Sequence, residues 1–383
     1  MALTNLSFSR GVLLGGLIGD CYGYVFEDKP TTTFDIASQL FHKTLSGADN
    51  KMLIYTDDTQ MGLAILRSVR SQNGYNPEHL AREFATDYFE DGAHRYYGGT
   101  IGRIFTSMKK ANYKDPYKYA AELFDGTGSY GNGGAMRAAP AALYALRFSE
   151  YDLERFIVDV TRLTHTHPLA VCGALIQAYA VRKIFFLACD RIKLDPFKFV
   201  DYLLQRLERT EYSFVNFKIP MWRQAFEAYR ERFEHVKYLL SAGTEPSIND
   251  VVGRLGNNLE AINSVPTAIY VFLRSLTPIP GINFDSVLLR CVIYAIGLGG
   301  DTDSIGCMAT ALAGAYIGVP ANDNYGVLPR NIITRCERYN NIMNTTENFG
   351  SSQIPLLIVE GGGYPSVEGC VTKFQQSLPL VNV

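Results

Sequence analysis

The sequence predicts an all-α protein, and three observations carry that prediction. Apolar residues recur at helical spacing in one run after another, most of them opened by a capping residue. The stretch from Ile305 to Gly318, IGCMATALAGAYIG, carries no charge and is rich in small side chains, as expected of a helix packed backbone to backbone inside a protein. Strand-like runs without a helical period appear only in the last stretch, Ser351 to Val383. The chain has 383 residues, 47% hydrophobic and 19% charged, which suits a large core and argues against global disorder. With no internal repeat and no low-complexity tract, residues 1–350 read as one helical domain and 351–383 as a short irregular or β-like extension.

Taken in order, Ser7 or Ser9 is placed to cap a first helix, SRGVLLGGLIGD, whose glycines at 11, 15, 16 and 19 offer a smooth packing surface. Its apolar run ends at Asp20 with no good cleavage site, so it reads as a buried helix and not a signal peptide. Residues 30–53 are polar and mixed, and are expected to form a loop with short helical pieces. Tyr55-Thr56-Asp57-Asp58-Thr59 opens a second apolar helix, and Asn76-Pro77-Glu78 a third. The glycine-rich stretches 91–103 and 124–137 cannot be helix interiors and are expected to be surface loops free to wrap a ligand. Residues 138–183 are mainly helical, interrupted by Thr164-His165-Thr166-His167-Pro168. Arg/Glu/Tyr/Phe-rich peripheral helices follow from 195 to 241. Asn249 to Phe272 gives two further helices with the break at Pro266, and Phe284 to Ile296 leads into Gly299-Gly300-Asp301-Thr302-Asp303-Ser304.

Charge and cysteine usage narrow the class. A net charge of −2 gives no electrostatic footprint for nucleic acid or an anionic membrane. Seven scattered cysteines, none in a C-x-x-C pair, argue for free thiols in a reducing compartment and against a thiolate zinc site. No uncharged stretch fits a membrane span. The expectation is a soluble intracellular monomer, cytoplasmic, with nucleus or mitochondrion also open.

The chemistry concentrates in two places. Asp301 and Asp303 sit at the start of a core helix, two residues apart on a glycine-pair turn. Carboxylates this close repel and desolvate badly unless a cation lies between them, and oxygen donors of this kind suit Mg²⁺. Helix capping is the plainer alternative. Asp57 and Asp58, with Thr56, repeat the pattern before a second core helix. Two such clusters argue for convergence: four carboxylates with the hydroxyls of Thr56 and Ser304 suffice for two divalent ions sharing a bridging carboxylate, about 3.5–4 Å apart. Separately, the glycine loop Gly128-Ser129-Tyr130-Gly131-Asn132 lets backbone approach a ligand closely.

In this order, TDDT, GSYGNGGAMR, a Thr-His pair, VPTAIYVFLR and GGDTDSIGCMATALAGAYIG resemble the ADP-ribosylglycohydrolase family over roughly residues 8 to 340. Within it the chain is most similar to the type that removes ADP-ribose from serine and trims poly(ADP-ribose). The resemblance implies an all-α orthogonal bundle with a binuclear Mg²⁺ site. It implies Thr56, Asp57, Asp58, Asp301, Asp303 and Ser304 as metal ligands, with Asp303 bridging and Ser304 where relatives often carry Thr. Glu27, in Tyr24-Val25-Phe26-Glu27, matches a glutamate that both approaches a metal and serves catalysis. Phe124 and Tyr130 would flank the adenine or its ribose, Ile269 would line the base pocket, and His165 would contact ribose or phosphate. Gly98 and Gly99 would lie by the distal ribose. The implied substrates are ADP-ribosylated protein and poly(ADP-ribose), with O-acetyl-ADP-ribose also open. His167 is expected to be a satisfied loop histidine. The same family includes lens crystallins of jellyfish, so a structural protein and a non-catalytic ADP-ribose binder are the rival readings.

Overall fold

The computed structural model describes residues 4–213, 221–320 and 328–352. Most of the tail expected to be strand-like, residues 353–383, lies outside the described residues. Among the described residues eighteen α-helices follow one another: α1 Asn5–Tyr24, α2 Phe34–Leu45, α3 Asp57–Ser71, α4 Pro77–Asp91, α5 Ile101–Lys110, α6 Lys118–Ala121, α7 Gly133–Met136, α8 Ala138–Tyr144 and α9 Glu150–Arg162, then α10 Pro168–Cys189, α11 Pro196–Ser213, α12 Trp222–Leu240, α13 Ile248–Leu255, α14 Ala261–Ser275, α15 Val287–Leu298, α16 Thr302–Ile317, α17 Arg330–Thr334 and α18 Tyr339–Ser352. Among the described residues the only β pairings are isolated bridges. The all-α expectation holds.

The bundle is built around α1 and α16, which run antiparallel in backbone contact. Gly11, Gly15, Gly19 and Gly23 on α1 face Gly314, Thr310, Gly306 and Thr302 on α16. A Cβ at Gly11 would lie 2.0 Å from the Gly314 carbonyl oxygen, and one at Gly314 would lie 1.8 Å from that of Gly11. The gap admits hydrogen only. Thr302 and Thr310 stitch the pair by donating their hydroxyls to the carbonyls of Gly23 (2.8 Å) and Gly15 (2.6 Å). This antiparallel register has a functional consequence: the end of α1, which leads to Glu27, meets the start of α16, where Asp301 and Asp303 lie.

Overpacking in a core costs about 1–3 kcal/mol, and more where backbone must move. Gly314→Ala is therefore expected to destabilise by about 3 kcal/mol or more. Gly16→Ala, whose Cβ would meet nothing closer than Cys307 Sγ at 3.6 Å, is expected to be neutral or slightly stabilising by helix propensity. Urea midpoints of the two variants check the contrast. Equal losses would mean that the α1–α16 contact is looser than it looks.

Around this pair lie α10, α14 and α15. Helix α10 is long and apolar enough to cross a membrane, but 78% of its most apolar window is buried within the bundle, so it reads as a core helix. The described cysteines are all free.

Several boundaries differ from the sequence expectation, each for a local reason. Helix α1 is capped by Thr4, whose hydroxyl accepts from Ser7 N while Ser7 returns the bond, and it runs on to Tyr24 because α16 covers its glycines. The region expected as loop at 30–53 contains the twelve-residue α2, capped by Thr33 with Asp35 in its first turn. The break between α13 and α14 falls at Gly256, at φ +82°, and Pro266 sits inside α14. The stretch 131–137 is buried, and so is not the surface loop expected there.

Candidate active site

Gly299 and Gly300 hold φ of +68° and +71°, and a Cβ on Gly300 would come within 2.2 Å of the Asn257 carbonyl oxygen. Only glycine fits that turn. It delivers Asp301 at the N-cap position of α16, yet the carboxylate makes no capping bond. The capping alternative fails for Asp301. Instead Asn132 Nδ2 donates to Asp301 Oδ2 and to Ser264 Oγ. Asp303 sits in the first turn, 4% exposed. One oxygen each of Glu27, Asp301 and Asp303 lie within 4.8 Å of one another.

The Thr56–Asp58 turn enters from the other side. Thr56 caps α3 by accepting from Asp58 N. Ser304 Oγ on α16 donates to Asp58 Oδ1 at 3.3 Å, so the two motifs meet. Two supports hold this turn in place. Asp20, fully buried on α1, accepts from the backbone N–H of Thr56 (2.9 Å) and of Thr59 (3.1 Å). Arg95 lies over the Tyr55 ring at 3.9 Å, donates to the Tyr55 carbonyl oxygen, and forms salt bridges with Asp91 and Glu337.

Six carboxylates thus share one small volume, and burial raises the pKa of every one. Asp20 is pushed up to about 6 by burial, opposed by its hydrogen bonds. Glu27 reaches about 7 through burial, then the charges of Asp301, Asp28 and Asp20. Asp57 and Asp58 are raised well above the usual range by burial and then by Asp20. Asp303 is raised well above it by burial and then by Asp301, Asp58 and Glu27. Asp301 is raised by burial, with the amide of Asn132 working against the shift. No lysine or arginine figures among the leading influences on any of them. Asp58 Oδ2 is buried without a hydrogen-bond partner. An all-oxygen donor set, an orphaned carboxylate oxygen and mutually repelling negative charge fit a hard divalent cation.

The sign of the pH dependence follows. Carboxylates raised in the folded state contribute stability that is fully present below the unfolded value, near pH 4. That contribution is lost as pH rises through about 6 and 7, the values of Asp20 and Glu27. Metal-free protein is expected to lose thermal stability between about pH 4 and 7, and added Mg²⁺ to restore it at the upper end. Melting curves in EDTA and in Mg²⁺ measure this. A metal-free protein that is most stable at pH 8 would contradict the account.

The second wall of the site is the loop after Leu123. Phe124, Asp125, Gly126 and Gly128 all have positive φ, a strained path held by Thr127 Oγ1 on the Phe124 carbonyl oxygen and by Gly128 packed under Thr166. It leaves Phe124 and Tyr130 half exposed with ring centroids 6.3 Å apart, so Phe124 is not a core residue. The N–H groups of Gly128, Gly131 and Asn132 are engaged by Leu123 O, Ser129 Oγ and Leu259 O. Those of Ser129 and Tyr130 have no partner among the described residues, so the backbone cradle is narrower than the sequence implied. The Asn132 amide nitrogen is engaged, donating to Asp301 and Ser264 and so orienting Asp301. His165 is 9% exposed and packs beneath Gly131 and Gly133. His167 caps α10 through Leu169 N, as a satisfied histidine. Gly98 and Gly99 are exposed with open space around them, next to Tyr96, whose ring lies 4.6 Å from that of Tyr24. Ile269 is fully buried in the core face of α14 and offers no surface to a base.

The sequence reading missed Asp20 and Arg95. An acid inside the otherwise apolar, glycine-rich run of α1 was the available signal for Asp20. Arg95 had none, because its partners are scattered along the chain.

A family model described as ADP-ribosylglycohydrolase matches residues 3–355. The chain belongs to the ADP-ribosylglycohydrolase family. It is 36% identical over 329 residues to the ADP-ribosylhydrolase ARH3 of Xenopus tropicalis, covering 84% of this chain and 91% of that one. It is 38% identical to the mouse protein of that name over 332 residues (83% and 86%) and 36% identical to the human one over 331 (83% and 87%). Among solved structures, an ADP-ribosylglycohydrolase-related protein complex matches with a TM-score of 0.60 at 20% identity, covering 91% of this chain and 99% of that one. That likeness confirms the fold. As an ADP-ribosylglycohydrolase the chain is a hydrolase, with its acidic cluster at the junction of α1, α3 and α16.

Proposed function

We propose that this chain is a Mg²⁺-dependent hydrolase that cleaves the O-glycosidic bond at the anomeric carbon of ADP-ribose, in serine-linked mono-ADP-ribose, poly(ADP-ribose) and O-acetyl-ADP-ribose. The observation that carries this reading is the meeting of Glu27, Asp301 and Asp303 beside Asp58 in a chain of this family. Glu27, Thr56, Asp57, Asp58, Asp301, Asp303 and Ser304 would hold two ions, with Asp303 shared. Bound Mg²⁺ supplies charge that holds ribose oxygens and makes a water more acidic. Glu27, half buried within reach of Asp301 and Asp303, would take a proton from water as the general base. The neighbouring carboxylates favour the positive charge that develops on the sugar ring. Phe124 and Tyr130 stack the adenine or its ribose, and the N–H groups of Ser129 and Tyr130 face the diphosphate. Gly98 borders the distal ribose.

Residues 1–350 would form the catalytic domain and 351–383 an extension. The protein would act as a monomer inside the cell on ADP-ribosylated protein, without direct nucleic-acid or membrane contact.

Incubation with Mg²⁺ and a serine-ADP-ribosylated peptide should release free ADP-ribose. Tight binding without release would make the chain a reader, and neither would make it a structural protein. Within the same assay Tyr130→Ala is expected to raise KM by roughly 10-fold with kcat little changed, since a base–aromatic stack contributes about 1–3 kcal/mol. A fall in kcat alone would remove Tyr130 from substrate binding.

A further inference from the structure

We propose that Arg137 and Thr164 are positioning residues that hold His165 as a hydrogen-bond donor, with its proton fixed on Nε2 and directed at the bound ligand. The argument starts from Arg137, the last residue of the GSYGNGGAMR motif, for which the proposed chemistry has no use. Its guanidinium is fully buried and has no carboxylate partner among the described residues. It donates to the carbonyl oxygens of Gly133 (2.7 Å) and Val160 (3.1 Å) and to Thr164 Oγ1 (2.7 Å).

An arginine carries donors only, so the direction of the Arg137–Thr164 bond is fixed. Thr164 is fully buried, and the remaining polar atom beside its hydroxyl is His165 Nδ1 at 2.8 Å. Were Nδ1 to carry the proton, it would donate into the same oxygen, and the hydroxyl hydrogen would be buried with no acceptor. That arrangement leaves a buried donor unsatisfied. Thr164 therefore donates to Nδ1, and the ring proton sits on Nε2.

Nε2 has no hydrogen-bond partner among the described residues. It lies under the glycine loop, where a Cβ on Gly131 would stand 3.3 Å from it and a Cβ on Gly133 would stand 2.4 Å from the adjacent Cε1. Burial and the Arg137 charge also push the imidazole down to about 3, so the ring stays neutral. A neutral ring with Nδ1 occupied offers its ligand one N–H and no acceptor. The matching group is an acceptor without a hydrogen, a diphosphate or ring oxygen. His165 is then excluded as a proton acceptor for the reaction. Only the identity of that ligand rests on the proposed function.

The test is side-chain ¹⁵N NMR of histidine in the metal-free full chain at neutral pH, with the His165 signals assigned by their loss in His165→Gln. Wild type is expected to show the Nε2–H tautomer alone. Thr164→Val, which keeps shape without the hydroxyl, is expected to show a mixture or the Nδ1–H form, with Thr164→Ser restoring the wild-type pattern. Calorimetric affinity for ADP-ribose is expected to fall about 10-fold in Thr164→Val and to recover in Thr164→Ser. An Nδ1–H tautomer in wild type overturns the inference, as does an unchanged affinity in Thr164→Val once the tautomer has shifted. If wild type fails to bind ADP-ribose at all, the proposed function falls, while the tautomer of the free protein still decides the roles of Arg137 and Thr164. Should Thr164→Val not fold, Thr164→Ala carries the same comparison, and an unchanged Nε2–H tautomer in it overturns the inference.

Discussion

Asp303→Ala is expected to abolish turnover and Mg²⁺ binding together, while the metal-free variant melts higher than metal-free wild type. The first effect follows from position: Asp303 belongs to the Glu27–Asp301–Asp303 group and also feels Asp58 across the α3–α16 junction. The second effect follows from its burial. At 4% exposure it is an ionisable group held among like charges, and its removal relieves that repulsion. Wild type should gain about 2.7 kcal/mol from Mg²⁺ at 100 times the dissociation constant, and the variant none. Differential scanning calorimetry with and without Mg²⁺, beside the ADP-ribose release assay, reads both. A variant that releases ADP-ribose at near wild-type rate would end the binuclear proposal.

Glu27→Gln carries the second large effect: retained ADP-ribose binding with turnover lowered by about 10²–10⁴-fold, the usual contribution of a positioned acid or base. The amide keeps the shape and one oxygen toward the site but cannot accept a proton. Glu27 follows the end of α1, where Gly23 packs against Thr302 and Asp303, so its backbone is anchored independently of its charge. The substitution should therefore leave the melting temperature of the metal-free protein unchanged or raised. Loss of ADP-ribose affinity along with activity would demote Glu27 to a ligand that only shapes the metal site.

What the sequence made legible was whatever depends on local pattern. Uncharged small-residue runs announced that α1 and α16 are each closely packed helices, though not that they pack on each other, and the two Asp clusters announced themselves by the closeness of their carboxylates. Asn76 before Pro77 placed the start of α4 correctly. Long-range partnership was not legible. Asp20 reads as a residue ending an apolar run, yet it holds the Thr56–Thr59 backbone from another helix. Asn132 reads as a ligand amide in a glycine loop, yet it turns toward Asp301, 169 residues away. Helix α2 was missed because its polar residues hide the few apolar positions, Ala37 and Phe41 among them, that it buries. The break assigned to Pro266 failed because a proline in a well-packed helix loses one backbone bond, whereas Gly256 supplies the positive φ that ends α13.

The central claim is that two segments more than two hundred residues apart, Thr56–Asp58 and Asp301–Ser304, form one metal centre. Anomalous diffraction from crystals soaked in Mn²⁺ tests it most directly. Two peaks about 3.5–4 Å apart, both in contact with Asp303 and one each beside Asp58 and Asp301, are the predicted result. An absence of peaks there, with ADP-ribose still released, would contradict it.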